Sequence, residues 1–139
     1  MATVEPASGT RSLKQLPNVA WIYVAVTLGL TVYGQLTVKW RVLQHGRIPE
    51  GLNGRATYLA NLLIDPWVLS ALLAAFIAAL AWMAALSRLE ISRAYPFMGL
   101  SFVVVLLMSG VFFGETITTA KIAGVLLVVT GIAVGAGLG

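Results

Sequence analysis

Apolar residues are gathered into four long stretches, with short polar segments between them. We place membrane-spanning helices at about residues 19–40, 66–87, 94–114 and 120–138. Each stretch is close to the roughly 20 residues that an α-helix needs to cross the hydrocarbon core of a bilayer. The second stretch contains no charged residue. The pattern predicts an all-α integral membrane protein, a small four-helix bundle with both chain ends on one side.

The polar segments indicate the rest of the organisation. Residues 1–18 are polar and are expected to form a mobile tail ahead of a four-helix transmembrane domain at 19–139. Residues 55–64 place apolar side chains at helical spacing but are too few to span, which predicts a short helix lying in the membrane interface. Asp65 followed by Pro66 is typical of a helix start, because Asp caps free amides and proline needs no partner in the first turn.

Composition excludes the soluble classes of protein. The chain has 139 residues, of which 59% are hydrophobic and only 10% are charged, whereas soluble domains carry about 25% charged residues. So few charges cannot cover a water-facing surface, and disordered chains have the opposite composition. The absence of cysteine removes disulfide and thiolate chemistry. A multi-pass membrane protein remains, with no room for a second domain.

Basic residues in the loops, which orient membrane proteins, are divided almost evenly. Four of the nine lie in the tail and the second loop, and five lie in the first and third loops. This balance fits a chain that inserts in both orientations, a chain that a partner orients, and a fixed topology with a weak signal. The direction of insertion stays open.

The first span carries a polar stripe, because four polar residues recur at steps of four and share one helix face. They are Thr27, Thr31, Gln35 and Lys39. Either the stripe lines a polar cavity, or its Thr and Gln residues form interhelical hydrogen bonds while Lys39 extends to the headgroups. We favour the cavity, because Gln35 is bulky and carries both donors and acceptors inside the hydrocarbon boundary.

The third span begins with Arg93, Tyr95 and Pro96 close together. Proline lacks an amide hydrogen, so a backbone carbonyl of the preceding turn is left for water or for a ligand. The segment is therefore either the mouth of a binding groove, with Arg93 and Tyr95 as ligands, or an ordinary helix start with an aromatic anchor. The residues leave both interpretations open.

Glycines repeat along the last span. Gly131 and Gly135 are one helical turn apart, and Gly124 lies about two turns earlier. Small residues on one face allow helices to approach closely in lipid. We predict a dimerisation seam here, with tight packing inside one bundle as the alternative. We favour the seam because a four-helix chain is too slim to enclose a large substrate alone.

The polar residues show no catalytic, metal-binding or nucleic-acid-binding pattern. The sequence has no nucleophile triad, carboxylate pair or glycine-rich phosphate loop, and His45 has no second metal ligand nearby. Glu115 closes the third span and is expected to be solvated or paired with a neighbour such as Lys121. We therefore expect neither an enzyme nor a cofactor, a metal or a nucleic-acid partner.

Two short motifs occur together with the spans described above. The first is Tyr33-Gly34-Gln35-Leu36 followed by Lys39, and the second is Arg93-Ala94-Tyr95-Pro96. Their order and spacing, with the turn at 86–91, Gly114-Glu115 and the glycine-rich last span, resemble the drug/metabolite transporter superfamily, the EamA/small multidrug resistance-like proteins. Within it, the chain is most similar to the aminoarabinose-phosphoundecaprenol flippase subunits. The long first loop is the main departure.

The resemblance implies a transporter of the cell (inner) membrane rather than an enzyme. Its cargo would be a polyprenyl-phosphate-linked sugar, or the polyprenyl phosphate itself, moved among membrane lipids by a homodimer or by a pair with a related small subunit. The groove is then expected to place basic residues on the phosphate and the other polar residues on sugar hydroxyls. Its expected lining is Thr27, Thr31, Gln35, Lys39, Arg93 and Tyr95.

Two alternatives remain. Small multidrug resistance exporters, to which such proteins are also similar, exchange cations for protons through a glutamate in the first span. Thr31 occupies the corresponding place here, and no acidic residue lies between Val19 and Val38. A proton-coupled cation exporter would therefore need Glu115 to enter the membrane. The other alternative is a non-transporting partner subunit, in which the glycine face matters and the polar stripe does not.

Overall fold

The computed structural model describes the backbone of residues 17–138 and the side chains of residues 19–135. The predicted tail lies outside these residues, apart from its last two positions, where the first helix has already begun. Within 17–138 the chain forms six α-helices and no strand. The helices are α1 (Pro17–His45), α2 (Leu52–Ile64), α3 (Pro66–Leu86), α4 (Ile91–Met98), α5 (Leu100–Phe113) and α6 (Thr119–Leu138).

Three described segments are long and apolar enough to cross a bilayer: Val19–His45, Pro66–Leu86 and Ile91–Phe113. The third of these segments consists of α4 and α5 together. The apolar part of α6, Thr119–Gly135, is shorter. The protein is therefore an all-α integral membrane protein with several spans, and a crossing by α6 stays a prediction.

α2 joins α1 to α3 at one end of the bundle. It begins at Leu52, three residues before the predicted start, directly after Gly51, whose φ of 97° is a conformation that L-residues rarely adopt. Tyr58 and Leu62 are buried and pack with Val68 of α3. The opposite face of α2 is exposed. α2 therefore packs only one of its faces on the bundle.

Asp65 connects three elements at this end of the bundle. Its carboxylate accepts hydrogen bonds from the amides of Trp67 at 2.9 Å and Val68 at 3.3 Å, and so caps α3 directly ahead of Pro66. Arg41 of α1 donates its Nε–H to both carboxylate oxygens at 3.0 Å. The hydrogen bond from Arg41 lowers the pKa of Asp65 from its ordinary 3.8, although burial acts in the opposite direction.

α1 and α3 form an antiparallel pair. Arg41 meets Asp65 at one end, and further along the Thr27 hydroxyl lies 3.3 Å from the carbonyl oxygen of Ala78. Close approach is possible because the buried face of α3 consists almost entirely of small residues. A Cβ added at Gly34 of α1 would lie 3.5 Å from a backbone oxygen of that face. The buried alanines are Ala71, Ala74, Ala78, Ala81 and Ala85.

The predicted third span is interrupted at Gly99, which separates α4 from α5. Pro96 has no amide hydrogen, and the turn that follows it is tightened. The Gly99 amide donates to the Pro96 carbonyl oxygen at 3.0 Å, and the Phe102 amide donates to the Gly99 carbonyl oxygen at 3.1 Å. These bonds span three residues instead of four, as in a 3₁₀-helix. The single predicted helix is therefore two helices joined by one tight turn.

α6 packs on α4 and α5. A Cβ added at Gly99 would lie 3.2 Å from side-chain atoms of Val128 and Ile132, so this glycine allows α6 to approach the interrupted turn. Near the other end of α5, a Cβ at Gly110 would lie only 2.7 Å from Ile117 in the connecting loop. The two glycines thus allow the loop and α6 to lie close to the third apolar segment.

Candidate functional site

A cavity of about 550 Å³ lies between α1, α3 and α4, and is called the first cavity below. The polar stripe of α1 forms one wall with Thr27, Thr31 and Gln35. Small alanines of α3 form the facing wall, and Trp82 of α3 and Tyr95 of α4 also line it. None of the described residues that line it is charged. Four of the six predicted groove residues therefore border one space.

The two threonines of the stripe already use their hydroxyl hydrogens. Thr27 donates to the carbonyl oxygen of Tyr23 at 2.8 Å, and Thr31 donates to the carbonyl oxygen of Thr27 at 2.7 Å. Thr27 is also only 4% exposed. A hydrogen bond from a threonine hydroxyl to the carbonyl oxygen four residues earlier is the usual way in which a helix accommodates threonine. The hydroxyl oxygens of the two threonines are therefore left as hydrogen-bond acceptors and not as donors.

Gln35 and Tyr95 are the more available polar groups. Gln35 is exposed, and its amide has no hydrogen-bond partner among the described residues. Tyr95 is 64% exposed, and its ring packs edge-on against Trp82 with 6.2 Å between the ring centroids. Arg93 is exposed and is not among the residues that line either described cavity. The structure thus brings Tyr95 to the stripe without Arg93.

A second cavity of about 480 Å³ shares two lining residues, Gln35 and Val38, with the first. It lies between α1, α5 and the start of α6. Its walls combine apolar side chains with Ser109 and with three charged residues, which are Lys39, Glu115 and Lys121. The stripe of α1 therefore runs from an uncharged cavity into a charged one.

Lys39 forms an ion pair with Glu115, which follows α5. The two side chains are 43% and 33% exposed, and the Lys39 ammonium also lies 5.6 Å from the centre of the Phe113 ring. The hydrogen bond from Lys39 lowers the pKa of Glu115 from its ordinary value, with burial acting in the opposite direction. The ion-pair partner of Glu115 is thus Lys39 and not Lys121.

Sequence reasoning missed Lys121 as a site residue. Its Nζ donates to the carbonyl oxygen of Thr116 at 3.0 Å, at the beginning of α6, and its side chain lines the second cavity. Nothing near Lys121 in the sequence marks it, because its neighbours in space come from α1 and α5. The alanine face of α3 was also missed, although its spacing is visible in the sequence.

The glycines of α6 lie outside both cavities. A Cβ added at Gly124, Gly131 or Gly135 would meet no atom within 4 Å. All three are exposed, so this face does not pack inside the described part of the chain. Nor do the described residues contain a group of three side chains that could hold a metal ion.

Apolar helices of spanning length, with two cavities that polar residues line in part, are typical of a multi-pass membrane transporter. The model of the EamA-like transporter family matches residues 55–135, more than half of the chain, and the chain belongs to this family. The superfamily resemblance that the sequence motifs indicated is confirmed. The protein is a transporter of the cell (inner) membrane and not an enzyme.

Curated relatives extend the comparison over most of the chain. The probable 4-amino-4-deoxy-L-arabinose-phosphoundecaprenol flippase subunit ArnE of Pseudomonas aeruginosa is 37% identical over 109 residues, 77% of this chain and 88% of the relative. ArnE of Pectobacterium atrosepticum is 31% identical, covering 81% and 94%. The subunit ArnF of Pseudomonas aeruginosa is 33% identical, covering 81% and 80%. No solved structure matches the chain.

Proposed function

We propose that the chain is one subunit of a flippase that moves a polyprenyl-phosphate-linked sugar between the leaflets of the membrane. One observation carries the proposal: Gln35 lines both an uncharged cavity that has one polar wall and a second cavity that contains charged residues. A lipid-linked sugar has the same two parts, a sugar rich in hydroxyls and an anionic phosphate. The names of the ArnE and ArnF relatives support this class of cargo.

Such a headgroup crosses the membrane only if its lost contacts with water are replaced. Polar groups are costly to transfer into roughly 30 Å of hydrocarbon without hydrogen-bond partners. In the first cavity, Gln35 and Tyr95 offer donors and acceptors to sugar hydroxyls, and Thr27 and Thr31 offer acceptors. The exposed apolar faces of the helices leave room for the polyprenyl chain to stay in lipid.

The phosphate is assigned to the basic residues. Lys39 lines the second cavity and keeps donors beyond the one that it gives to Glu115, so it can bind a phosphate oxygen. Arg93 precedes Tyr95 by two positions on α4. We assign Arg93 to the entrance of the groove, where it meets the headgroup before the cavities do.

The working unit is proposed to contain two small subunits, each with α6 as its fourth span. A single chain has few helices with which to surround a large headgroup, and its cavities are open. The exposed glycine face of α6 supports a seam through Gly124, Gly131 and Gly135, because no residue of the described chain covers it. The second subunit is either another copy or a related small subunit, as the paired names ArnE and ArnF suggest.

The cation-exporter alternative is weakened by the partner of Glu115. A proton-coupled exporter needs a carboxylate that takes up a proton near neutral pH. Glu115 lines the second cavity, but its ion pair with Lys39 lowers its pKa and keeps it ionised. Uptake of a quaternary ammonium dye by vesicles under a proton gradient would revive the exporter.

The proposal is tested by flipping of a fluorescent polyprenyl phosphosugar in reconstituted vesicles that contain the chain with its partner subunit. We expect Gln35→Ala and Lys39→Ala each to slow flipping about tenfold or more, because each removes a hydrogen bond to the headgroup. Asn61→Ala is the control, since Asn61 is an exposed amide on α2 that lines neither described cavity.

Two results would contradict the proposal. Full flipping by both stripe variants would show that the stripe does not bind cargo. Loss of flipping only in variants of the glycine face would indicate a partner subunit that contributes assembly without transport. In either case the amount of each variant in the membrane must equal that of the wild type.

A further inference from the structure

The charged side chains of the two cavities are not evenly divided. Lys39, Glu115 and Lys121 all line the second cavity, whereas the lining of the first contains no charge. Two cations and one anion leave the second cavity with a net charge of one positive unit. The second cavity therefore matches a ligand that carries a single negative charge.

The two lysines are held by different groups. Lys39 pairs with the carboxylate of Glu115. Lys121 donates instead to the backbone carbonyl oxygen of Thr116 at 3.0 Å. An ammonium group has three hydrogens, so each lysine keeps donors for a ligand. Among the described residues, Lys121 therefore differs from Lys39: a backbone oxygen holds its ammonium group, and no ion pair does.

We propose that the second cavity is an anion subsite that selects lipid-linked phosphodiesters over lipid-linked phosphomonoesters. Lys39 and Lys121 bind the phosphate, and Glu115 is the residue that determines the selectivity. The inference rests on the proposed function: Gln35 and Val38 line both cavities, so a ligand with its phosphate in the second cavity has the first within reach of its sugar.

The selectivity follows from charge. A phosphodiester carries one negative charge and neutralises the cavity, whereas a phosphomonoester carries about 1.5 to 2 negative charges near neutral pH. The monoester would leave the cavity with a net negative charge that has no partner, which is costly away from water, and its second charge is repelled by the carboxylate of Glu115. A polyprenyl carrier bearing its sugar is a diester, and the bare carrier is a monoester. The subsite therefore admits the loaded lipid and rejects the empty one.

The test is equilibrium binding of two probes to the full chain in phosphatidylcholine nanodiscs. The probes are a fluorescent polyprenyl monophosphate and the same lipid carrying one hexose on its phosphate. We expect the wild type to bind the diester about tenfold more tightly than the monoester. Glu115→Gln should remove this preference by strengthening monoester binding about tenfold. Glu50→Gln is the matched control, because Glu50 is an exposed loop carboxylate outside both described cavities.

Lys121 is tested in the same assay. Lys121→Gln should weaken binding of both probes about tenfold, and Lys121→Arg should restore it, because the charge rather than the local fold is required. Arg47→Gln removes a positive charge from an exposed loop position and should change nothing. Full affinity in Lys121→Gln, or an unchanged diester preference in Glu115→Gln, would overturn the subsite.

Two further measurements distinguish a failure of this inference from a failure of the proposed function, and binding of cargo from binding of ordinary lipids. If Lys121→Gln binds and flips the diester as the wild type does, and Glu115→Gln keeps the diester preference, the subsite is wrong and the proposed flippase is not contradicted. A wild type that neither binds nor flips the diester contradicts both. Phosphatidylglycerol is also a singly charged phosphodiester. If it displaces the diester probe at equal mole fraction, the assignment of the subsite to cargo is wrong.

Discussion

At the scale of single residues, Asp65 illustrates how one side chain serves two purposes. It caps α3 through the amides of Trp67 and Val68, and it accepts the guanidinium hydrogen bonds of Arg41 from α1. The cap is visible in the sequence because it involves the next two or three residues. The ion pair is not visible, because Arg41 lies 24 positions away.

Replacing Asp65 separates these two purposes. Asn caps helices about as well as Asp, so Asp65→Asn removes the ion pair and keeps the cap, whereas Asp65→Ala removes both. We expect Asp65→Ala to lower the thermal midpoint in detergent by about 4 °C more than Asp65→Asn does. Equal midpoints for the two variants would show that the cap contributes nothing. Asn61→Ala on the exposed face of α2 is the control.

The ion pair also predicts a pH dependence. Because Arg41 lowers the pKa of Asp65 in the folded protein, the carboxylate stabilises the fold at pH values above its ordinary pKa of 3.8. That stabilisation is lost as the pH falls through the lowered folded-state pKa. The wild type should therefore lose more stability on acidification below about pH 4 than Asp65→Asn does. Parallel pH profiles of the thermal midpoint in the two proteins would contradict this.

At the scale of elements, the junction of α4 and α5 is where the sequence was least informative. Pro96 was recognised, but a proline in the first turn of a span is compatible with one continuous helix. The helix is interrupted at Gly99, where α6 approaches through Val128 and Ile132. The sequence does not reveal which glycine meets a neighbouring helix, since the chain has 14 glycines and many stand in apolar surroundings.

Gly99→Val tests this contact. An added Cβ would lie 3.0 Å from the Pro96 carbonyl oxygen and 3.2 Å from α6, so larger side chains overpack the junction. We expect Gly99→Val to destabilise the folded protein by about 1–3 kcal/mol, measured by unfolding in mixed micelles. Gly29→Val is the matched control, because a Cβ at Gly29 meets no atom within 4 Å. Similar destabilisation by both variants would mean that the cost comes from helix propensity alone.

The alanine face of α3 is a case in which the pattern was present and ambiguous. Alanines occupy several faces of this helix, so spacing alone does not indicate which of them is buried. The structure selects the face that meets α1, where Gly34 also approaches. The first cavity follows from this choice, because small side chains on α3 leave space opposite the polar stripe.

At the scale of the whole molecule, the exposed glycine face of α6 bears on how two subunits associate. The sequence left two alternatives, a seam between subunits and tight packing within one bundle. In the described chain no atom lies within 4 Å of a Cβ added at Gly124, Gly131 or Gly135. Packing among the described residues therefore does not account for these glycines, and association with a second subunit stays our proposal.

Gly131→Leu tests the seam. If backbones approach at this glycine, the leucine side chain separates them, and we expect the dimeric fraction to fall about tenfold at fixed protein-to-lipid ratio. The fraction is measured by cross-linking in vesicles, with the partner subunit present. Gly29→Leu, at an equally open glycine of α1, should leave the fraction unchanged. Unaltered cross-linking in Gly131→Leu would exclude this face as the seam.

The sequence by itself determined the properties that depend on near neighbours along the chain: the apolar segments, the cap on α3 and the polar stripe of α1, whose spacing follows from helix geometry. Only the tertiary structure decided which remote groups meet. Lys39 and Glu115 are 76 positions apart, and the separation of an uncharged cavity from a charged one depends on how α1 packs against α3 and α5. The physical reason is that hydrogen bonds and ion pairs act over a few ångströms in space. Folding alone brings such distant parts of the chain within that range.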